Sequence, residues 1–450
     1  MKKPASAFII ISLISLNVRA QGLFESSQAD SAAPAPAAST FNLNGYVRGT
    51  AYGGSKTTDF ANLSGEFALK AKISRGSTFL YADARFREGL FFGERKAETE
   101  LKEAYAGYTG ERLSVYLGNQ VVSWGRTDGF NPTNNITPND YFYLTPEPDD
   151  QKLGNFMLRP KIRLNNQAEL EAILIPVFKP SVYRYDLFDM GGSSSFMQTL
   201  IPNAKARNAS IAARLNFELP AAGFSVSYFH GYDPFYGFKA DTILFQPSPY
   251  VIYNPAVYKK NTIGADFAIP VSQWIFRGEA TVNLTKDYLE NQQIPNPDLS
   301  YVLGIERTIS GFTTIFQYIG KFTFDFQPIS EPVLTDPYNP LAQMQYAIER
   351  INYETELFNR KIFYQQEETN HALFLSVNRL FAHDVLNAEI SGYYNITSRE
   401  YFIRPTVKWN ITDALTANLG ASIMKGPDMS VFEKAGKVLN GTFLGLTASF

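Results

Sequence analysis

The stretch Phe276-Arg277-Gly278-Glu279-Ala280-Thr281-Val282-Asn283-Leu284 alternates without a break between apolar or small residues and polar or charged ones. Successive side chains of a strand leave opposite faces. One face of this segment is therefore apolar, and the other carries Arg277, Glu279, Thr281 and Asn283. The same period recurs in Phe41-Asn42-Leu43-Asn44-Gly45-Tyr46-Val47-Arg48 and in Ser210-Ile211-Ala212-Ala213-Arg214-Leu215-Asn216-Phe217. Read outward from these, the pattern predicts strands near 41–52, 63–73, 78–88, 98–108, 113–122, 156–164, 168–178, 208–218 and 223–231. It continues at 260–269, 274–285, 299–308, 312–322, 370–381, 385–396, 400–410, 414–424 and 439–450.

The connections decide between a soluble sheet and a closed barrel. Those after even strands are brief, as in Ser74-Arg75-Gly76, Thr109-Gly110-Glu111, Asn165-Asn166, Ser310-Gly311 and Thr412-Asp413. Those after odd strands are longer. Tight turns at one end and large loops at the other are the pattern of a barrel that crosses an outer membrane. The expected fold is all-β: a transmembrane antiparallel up-and-down β-barrel of about eighteen strands, with sixteen as the alternative count. Short periplasmic turns and long extracellular loops would join them, and both termini would lie in the periplasm. A secreted propeller would also show many short strands, but no blade repeat is visible. The 36 Phe, 26 Tyr and 3 Trp suit the aromatic girdles of a membrane barrel.

The N-terminus sets the compartment. Lys2 and Lys3 precede a short apolar run, Phe8 to Leu16, and Val18-Arg19-Ala20 offers small residues for cleavage. Residues 1–20 read as a secretory signal peptide. Residues 21–40, rich in Ala, Ser and Pro, read as a flexible periplasmic linker, leaving 41–450 for the barrel. Taking Lys2, Lys3 and Arg19 from the 41 basic residues leaves 38 against 43 acidic. That balance gives no footprint for nucleic acid. Zero Cys excludes a disulfide framework and a thiolate metal site, and three His leave little for a histidine cluster. No cofactor or metal is expected. No run of about 20 apolar residues exists, so no transmembrane helix is expected either.

The last strand, Leu444-Gly445-Leu446-Thr447-Ala448-Ser449-Phe450, alternates and ends on Phe. In this it resembles Gram-negative outer-membrane β-barrels of the porin type, over roughly residues 41–450. The segment Gly118-Asn119-Gln120, Trp124-Gly125, Asn131-Pro132 and Pro138-Asn139-Asp140 is similar to one in large alginate-export-like outer-membrane barrels. The resemblance implies that Phe450 is an assembly signal read by the barrel-assembly machinery. It also implies a surround of outer-membrane lipid and lipopolysaccharide.

If Phe450, Ala448, Leu446 and Leu444 face lipid, the opposite set lines the lumen. Carried through each strand, this points Arg48, Lys70, Lys72, Arg85, Arg87, Arg159, Lys161, Arg163, Arg214, Arg277, Arg404 and Lys408 inward. Glu66, Asp83, Glu169, Glu171, Asp266, Glu279, Glu306 and Glu389 join them. Charges of that number require water in the lumen. Arg159, Lys161 and Arg163 form a ladder about 13 Å long on one strand. One reading is a basic track for anionic solutes, shared by Arg85, Arg87, Arg404 and Lys408. The other is pairing of these cations with Asp83, Glu66, Glu169 and Glu171 across the ladder. At 98–108, Lys102 and Glu103 fall on opposite faces and leave that strand ambiguous.

Two loops stand out. The third long one, at about 123–155, would fold inward by analogy with general porins, with Arg126, Asp128, Asn131, Asn134, Asn139 and Asp140 lining a constriction. The alternative is a surface loop with Trp124 in the outer girdle. Asp149-Asp150 is a weak pair for Ca²⁺. The loop at about 322–369 is aromatic, with a helix expected within Leu341–Phe358, and reads as a sugar-stacking surface or a folded cap.

An enzyme is not expected, since neither Gly-x-Ser-x-Gly nor His-Glu-x-x-His occurs. The resemblance and the charged lumen together imply a channel for passive diffusion of small hydrophilic solutes, with anions favoured. The alternatives are an exporter of acidic polysaccharide and a plugged barrel acting as adhesin or assembly partner.

Overall fold

A computed structural model describes residues 39–54, 60–188, 193–244 and 250–450. The expected signal peptide and all but the last two residues of the expected linker lie outside the described residues. The first seven strands are β1 (Thr40–Gly53), β2 (Phe60–Arg75), β3 (Thr78–Phe91), β4 (Glu94–Thr109), β5 (Leu113–Gln120), β6 (Asn155–Arg163) and β7 (Ala168–Ile175). Then come β8 (Ser193–Phe196), β9 (Ser210–Leu219), β10 (Ala222–Tyr232), β11 (Gly237–Leu244), β12 (Tyr250–Ala256), β13 (Lys259–Val271) and β14 (Trp274–Thr285). The last seven are β15 (Asp298–Ile309), β16 (Phe312–Thr323), β17 (Thr369–Phe381), β18 (Leu386–Asn395), β19 (Glu400–Asn410), β20 (Leu415–Lys425) and β21 (Gly441–Ser449). Two helices, α1 (Pro340–Ile362) and α2 (Val431–Leu439), lie in the last two long connections.

Eighteen of these strands pair antiparallel with their neighbours in chain order, leaving out β8, β11 and β12. β21 returns to pair with β1, with Gly49 opposite Leu446, so the sheet closes and has no edge. Phe450 finishes the seam. Its N–H and C=O bond Gly45 at 3.0 and 2.9 Å, and its ring stacks on Phe67.

The two faces are inverted relative to a soluble protein. Val47, Leu63, Phe67, Leu117, Ile263, Leu303, Leu419 and Leu444 are exposed on the outside, while Arg48, Glu66, Arg85, Asp266 and Glu279 are buried inside. Apolar residues outside and charges within are what a barrel in hydrocarbon requires. They exclude the secreted propeller.

The turns at the terminal end are tight because their residues accept left-handed backbone. Ser310 (φ 51°) and Gly311 (φ 80°) make a two-residue turn of the primed kind, whose twist matches the flanking strands. Strict short/long alternation of connections does not hold. At the loop end β3 and β4 are joined by Phe92-Gly93 alone, with φ 49° and 83°, and β18 meets β19 across 396–399. The ambiguity of β4 is a β-bulge. Asp83 pairs with Glu103 and Ala84 with Leu101, so Lys102 is the extra residue. Lys102 reaches Asp150 at 3.5 Å and Glu103 accepts from the Val121 N–H at 2.9 Å, so both side chains serve the lumen.

The loop end carries structure of its own. β11 and β12 form a hairpin to which β8 adds in parallel. Tyr185, Phe238, Tyr258, Phe358 and Phe363 share one buried cluster, against which Phe196, Ile294 and Val431 pack. Five connections therefore meet in one aromatic core. Asn359 of α1 ties the helix to this sheet, accepting from the Phe238 N–H at 2.8 Å and donating to its carbonyl at 2.7 Å. Gln365 repeats the device on Asn296 at 2.9 and 2.8 Å.

Candidate constriction and lumen network

The β5–β6 connection, 121–154, contacts inward-facing residues on many strands. At its start the Trp124 indole donates to Glu171 of β7 at 3.2 Å. Trp124 is buried, so it does not belong to an outer girdle. The next residues wrap the Glu279 carboxylate of β14. It accepts from the backbone N–H of Arg126 and Thr127 and the Thr127 hydroxyl, each at 2.7 Å, and from the Thr133 hydroxyl at 2.8 Å. Gly125, at φ 104°, has no room for a Cβ, which would meet both Glu279 and Asn131. Asn131 shapes the turn by donating to the Trp124 carbonyl at 2.5 Å and accepting from the Asn134 N–H at 3.1 Å.

From this anchor Arg126 extends to Asp266 at 2.7 Å and Glu218 at 2.8 Å, with Asn216 at 2.6 Å. Arg214 approaches the same Asp266 at 3.4 Å, and Ser225 donates to it. Arg277 donates to the Arg126 carbonyl at 3.0 Å and pairs with Glu306 at 2.7 Å and Asp128 at 3.7 Å. Phe130 packs against the patch of Val302, Ile319 and Ala372 on β15 to β17.

The other half of the loop is fixed to β1 through β4. Tyr143 donates to Glu66 at 2.5 Å, and that carboxylate also takes Tyr46 at 2.5 Å, Arg48 at 2.9 Å and Arg87 at 2.7 Å. Asp150 pairs with Arg48 at 2.7 Å and Arg85 at 2.8 Å. With those partners it belongs to an ion network, not to a Ca²⁺ site. Burial alone would push the Asp150 carboxyl up, but Arg48, Arg85 and Lys102 together hold it well below the usual carboxylate range. Asp128, where burial outweighs Arg277, sits above that range. Asp83 pairs with Arg85 at 3.1 Å, and Arg87 also pairs with Glu100.

The remaining predicted residues divide. In the β6 ladder Arg159 pairs with Glu171 and Lys161 with Glu169 at 2.8 Å, while Arg163 makes no ion pair among the described residues. Arg404 donates to the carbonyls of Thr145 and Pro146 at 3.1 and 3.0 Å, and Lys408 meets Glu147 at 3.0 Å. Arg126, Asp128, Asn131 and Asn134 gather near Glu279. Asn139 and Asp140 instead bridge to Lys152 and Val182, away from that turn. Burial raises the Asp140 carboxyl. Sequence reasoning missed Lys102, Tyr143 and Asp150 as network members. Asp149-Asp150 and the alternation break at Lys102 were their only signals.

No protein-family model matches the sequence, and no curated protein matches it significantly. Solved structures do. OccAB3 of Acinetobacter baumannii aligns with a TM-score of 0.54 over 91% of this chain and 99% of its own, at 9% identity. The outer membrane protein OpdK of Pseudomonas aeruginosa gives 0.53 over 91% and 99%, at 7% identity. OpdK solved with vanillate gives 0.53 over 91% and 98%, at 8% identity. The fold is that of an outer-membrane porin. In this porin barrel the inward loop is held by ion pairs and capped carbonyls on both sides of the lumen, and its tip rests on an apolar patch.

Proposed function

We propose that this chain is an outer-membrane channel through which small hydrophilic solutes diffuse passively, with small carboxylates favoured. The observation that supports this most is the loop 121–154, tied across a charged lumen with Arg126, Arg214 and Arg277 joined in one network beside partly exposed Glu218 and Asp128. A passing carboxylate exchanges with these protein carboxylates for guanidinium donors, and loop size sets the limit of passage. OpdK was solved with vanillate, an aromatic carboxylate, which is the solute class proposed here. Arg163 and Lys72, without carboxylate partners among the described residues, extend the basic path. Export by the N-terminal segment, assembly guided by Phe450 and contact with lipopolysaccharide complete the reading.

The test is single-channel recording of the purified protein in a planar bilayer. Stable conductance steps are expected, with a reversal potential of anion sign under a salt gradient. Replacing Arg126 and Arg277 with Gln should move that potential toward cations. A correctly folded barrel that stays silent overturns the channel reading. It favours the plugged-barrel alternative, for which the aromatic cap at the loop end is the supporting observation. Steps with cation selectivity overturn the preference for carboxylates and, with it, an exporter of acidic polysaccharide.

A further inference from the structure

The outer surface of β9, β10 and β13 changes chemistry in order from mid-barrel to the loop end. One rung holds Leu215, Val226 and Ala265, and the next Ala213, Tyr228 and Ile263. Then come Ile211, His230 and Asn261, and finally Tyr232 opposite Lys259. The rungs are about 7 Å apart. Val226, Tyr228, Ile263 and Ile211 are exposed, so this is the lipid-facing side. At the third rung Asn261 accepts from the Tyr228 hydroxyl at 2.9 Å and lies 2.8 Å from His230 Nδ1. At the top the Lys259 ammonium sits over the Tyr232 ring at 5.0 Å and donates to the Arg207 carbonyl at 2.5 Å. The Tyr232 hydroxyl donates to Asn208 at 3.2 Å, which fixes the 205–208 segment beside it.

Lys205 and Arg207 are exposed on that segment, and Lys286 follows Thr285, the partner of Lys260. None of Lys205, Arg207, Lys259 and Lys286 makes an ion pair among the described residues, whereas Arg126, Arg214 and Arg277 inside all do. Asp233, the carboxylate at the end of β10, is taken by Lys260 at 2.7 Å and Tyr258 at 3.0 Å. The rim thus holds exposed cations, without carboxylate partners among the described residues, beside Lys259, which itself stands directly above an aromatic and then an aliphatic surface.

We propose that Lys205, Arg207 and Lys259, with Lys286 beside them, bind the phosphorylated headgroup of a membrane lipid whose acyl chains lie on the Tyr228–Val226 face. The inference rests on the membrane placement of the barrel. The order aliphatic, aromatic, amphipathic, cationic matches a lipid read from tail to phosphate, and each cation near such a surface strengthens binding about fivefold.

The test uses full-length protein in detergent, with bound lipid counted by native mass spectrometry. The probes are lipid A, the same lipid stripped of its phosphates, and inorganic phosphate. Lipid A is expected to bind the wild type, and K205Q/R207Q/K259Q to weaken it about a hundredfold. R307Q/R379Q, which removes two outward cations at the opposite end, is expected to bind as wild type. Should the triple variant not fold, K259Q alone is expected to lose about fivefold. Unchanged binding by either Lys259 variant overturns the proposal. So does equal binding of the stripped lipid, which marks apolar contact only, or equal occupancy by inorganic phosphate, which marks a free-anion site. If no lipid of any kind adheres to the folded barrel, it is the membrane reading that fails. Channel steps are recorded separately and do not enter this comparison.

Discussion

The loop that crosses the lumen is held by two walls built from the same residue types in different solvent. On β1 to β4 the charges are dry: the Arg48 and Glu66 side chains are 4% and 2% exposed, and Glu66 takes four donors. On β9 to β15 the same chemistry is dry at Asp266 and Glu279 but wet at its edge, with Glu218 of β9 at 59% and its loop neighbour Asp128 at 45% exposed. A buried, fully bonded carboxylate fixes geometry, because losing one partner strands a charge in a low-dielectric site. An exposed one contributes little to stability and is free to exchange partners. The first wall is thus the clamp, and the second is where a solute can compete.

The largest expected effect lies in the clamp. Glu66→Leu leaves Arg48 and Arg87 short of a buried partner and should cost about 3–5 kcal/mol of barrel stability. Glu218→Leu should cost at most about 1 kcal/mol. Heat unfolding of the two variants in detergent, followed by gel mobility, measures the difference. Equal losses would erase the distinction between the walls.

Glu279→Gln comes next. One carboxylate gathers three loop N–H groups and two hydroxyls, and an amide must turn a donor toward some of them. Loss of about 1–3 kcal/mol of loop anchoring is expected, with the barrel intact. The readout is a larger or noisier single-channel conductance. An unchanged trace would mean that the other ties, those of Tyr143, Asp150 and Trp124 among them, hold the loop without it.

Alternation made Glu279, Arg277 and Asp266 legible as lumen residues, since a strand in hydrocarbon must sort its faces. What they touch was not legible. Glu279 and Thr127 are 152 positions apart, and their contact depends on a loop path that no local period encodes. The bulge at Lys102 appeared in the sequence only as a break in alternation. β8, β11 and β12 left a weaker trace still. They are short, Pro255 interrupts one of them, and they exist because α1 and the aromatic cluster cover them.

A pH titration sharpens the contrast at lower amplitude. Burial raises the Asp128 carboxyl, so on acidification it takes its proton above the usual carboxylate range. A raised folded value means protonation favours the folded loop, and the barrel should stay intact. Asp150 is depressed. Its contribution is present above the unfolded value and is lost only as pH falls through the lower folded one. Mild acid should therefore shift the reversal potential toward anions as Arg277 loses its Asp128 neighbour, before any unfolding. Asp128→Asn should abolish that step.

The smallest effect concerns the patch under the loop tip. Gln317 of β16 is fully buried, and neither amide atom has a hydrogen-bond partner. It stands on the rung of Gly304 and Phe374, one step from Ile319 in the patch where Phe130 rests. Two unmet groups there oppose closure of the tip, since each buried orphan costs about 1–3 kcal/mol. Gln317→Leu keeps the volume and removes both. The barrel should be unchanged to about 1 kcal/mol more stable, and the tip should stay closed on the patch for longer, read as longer closures in the channel record. A loss of stability instead would show that lumen water bonds this amide. The second wall would then be wet beneath the tip, and the loop's dry anchors would be the clamp on β1 to β4 and the Glu279 carboxylate.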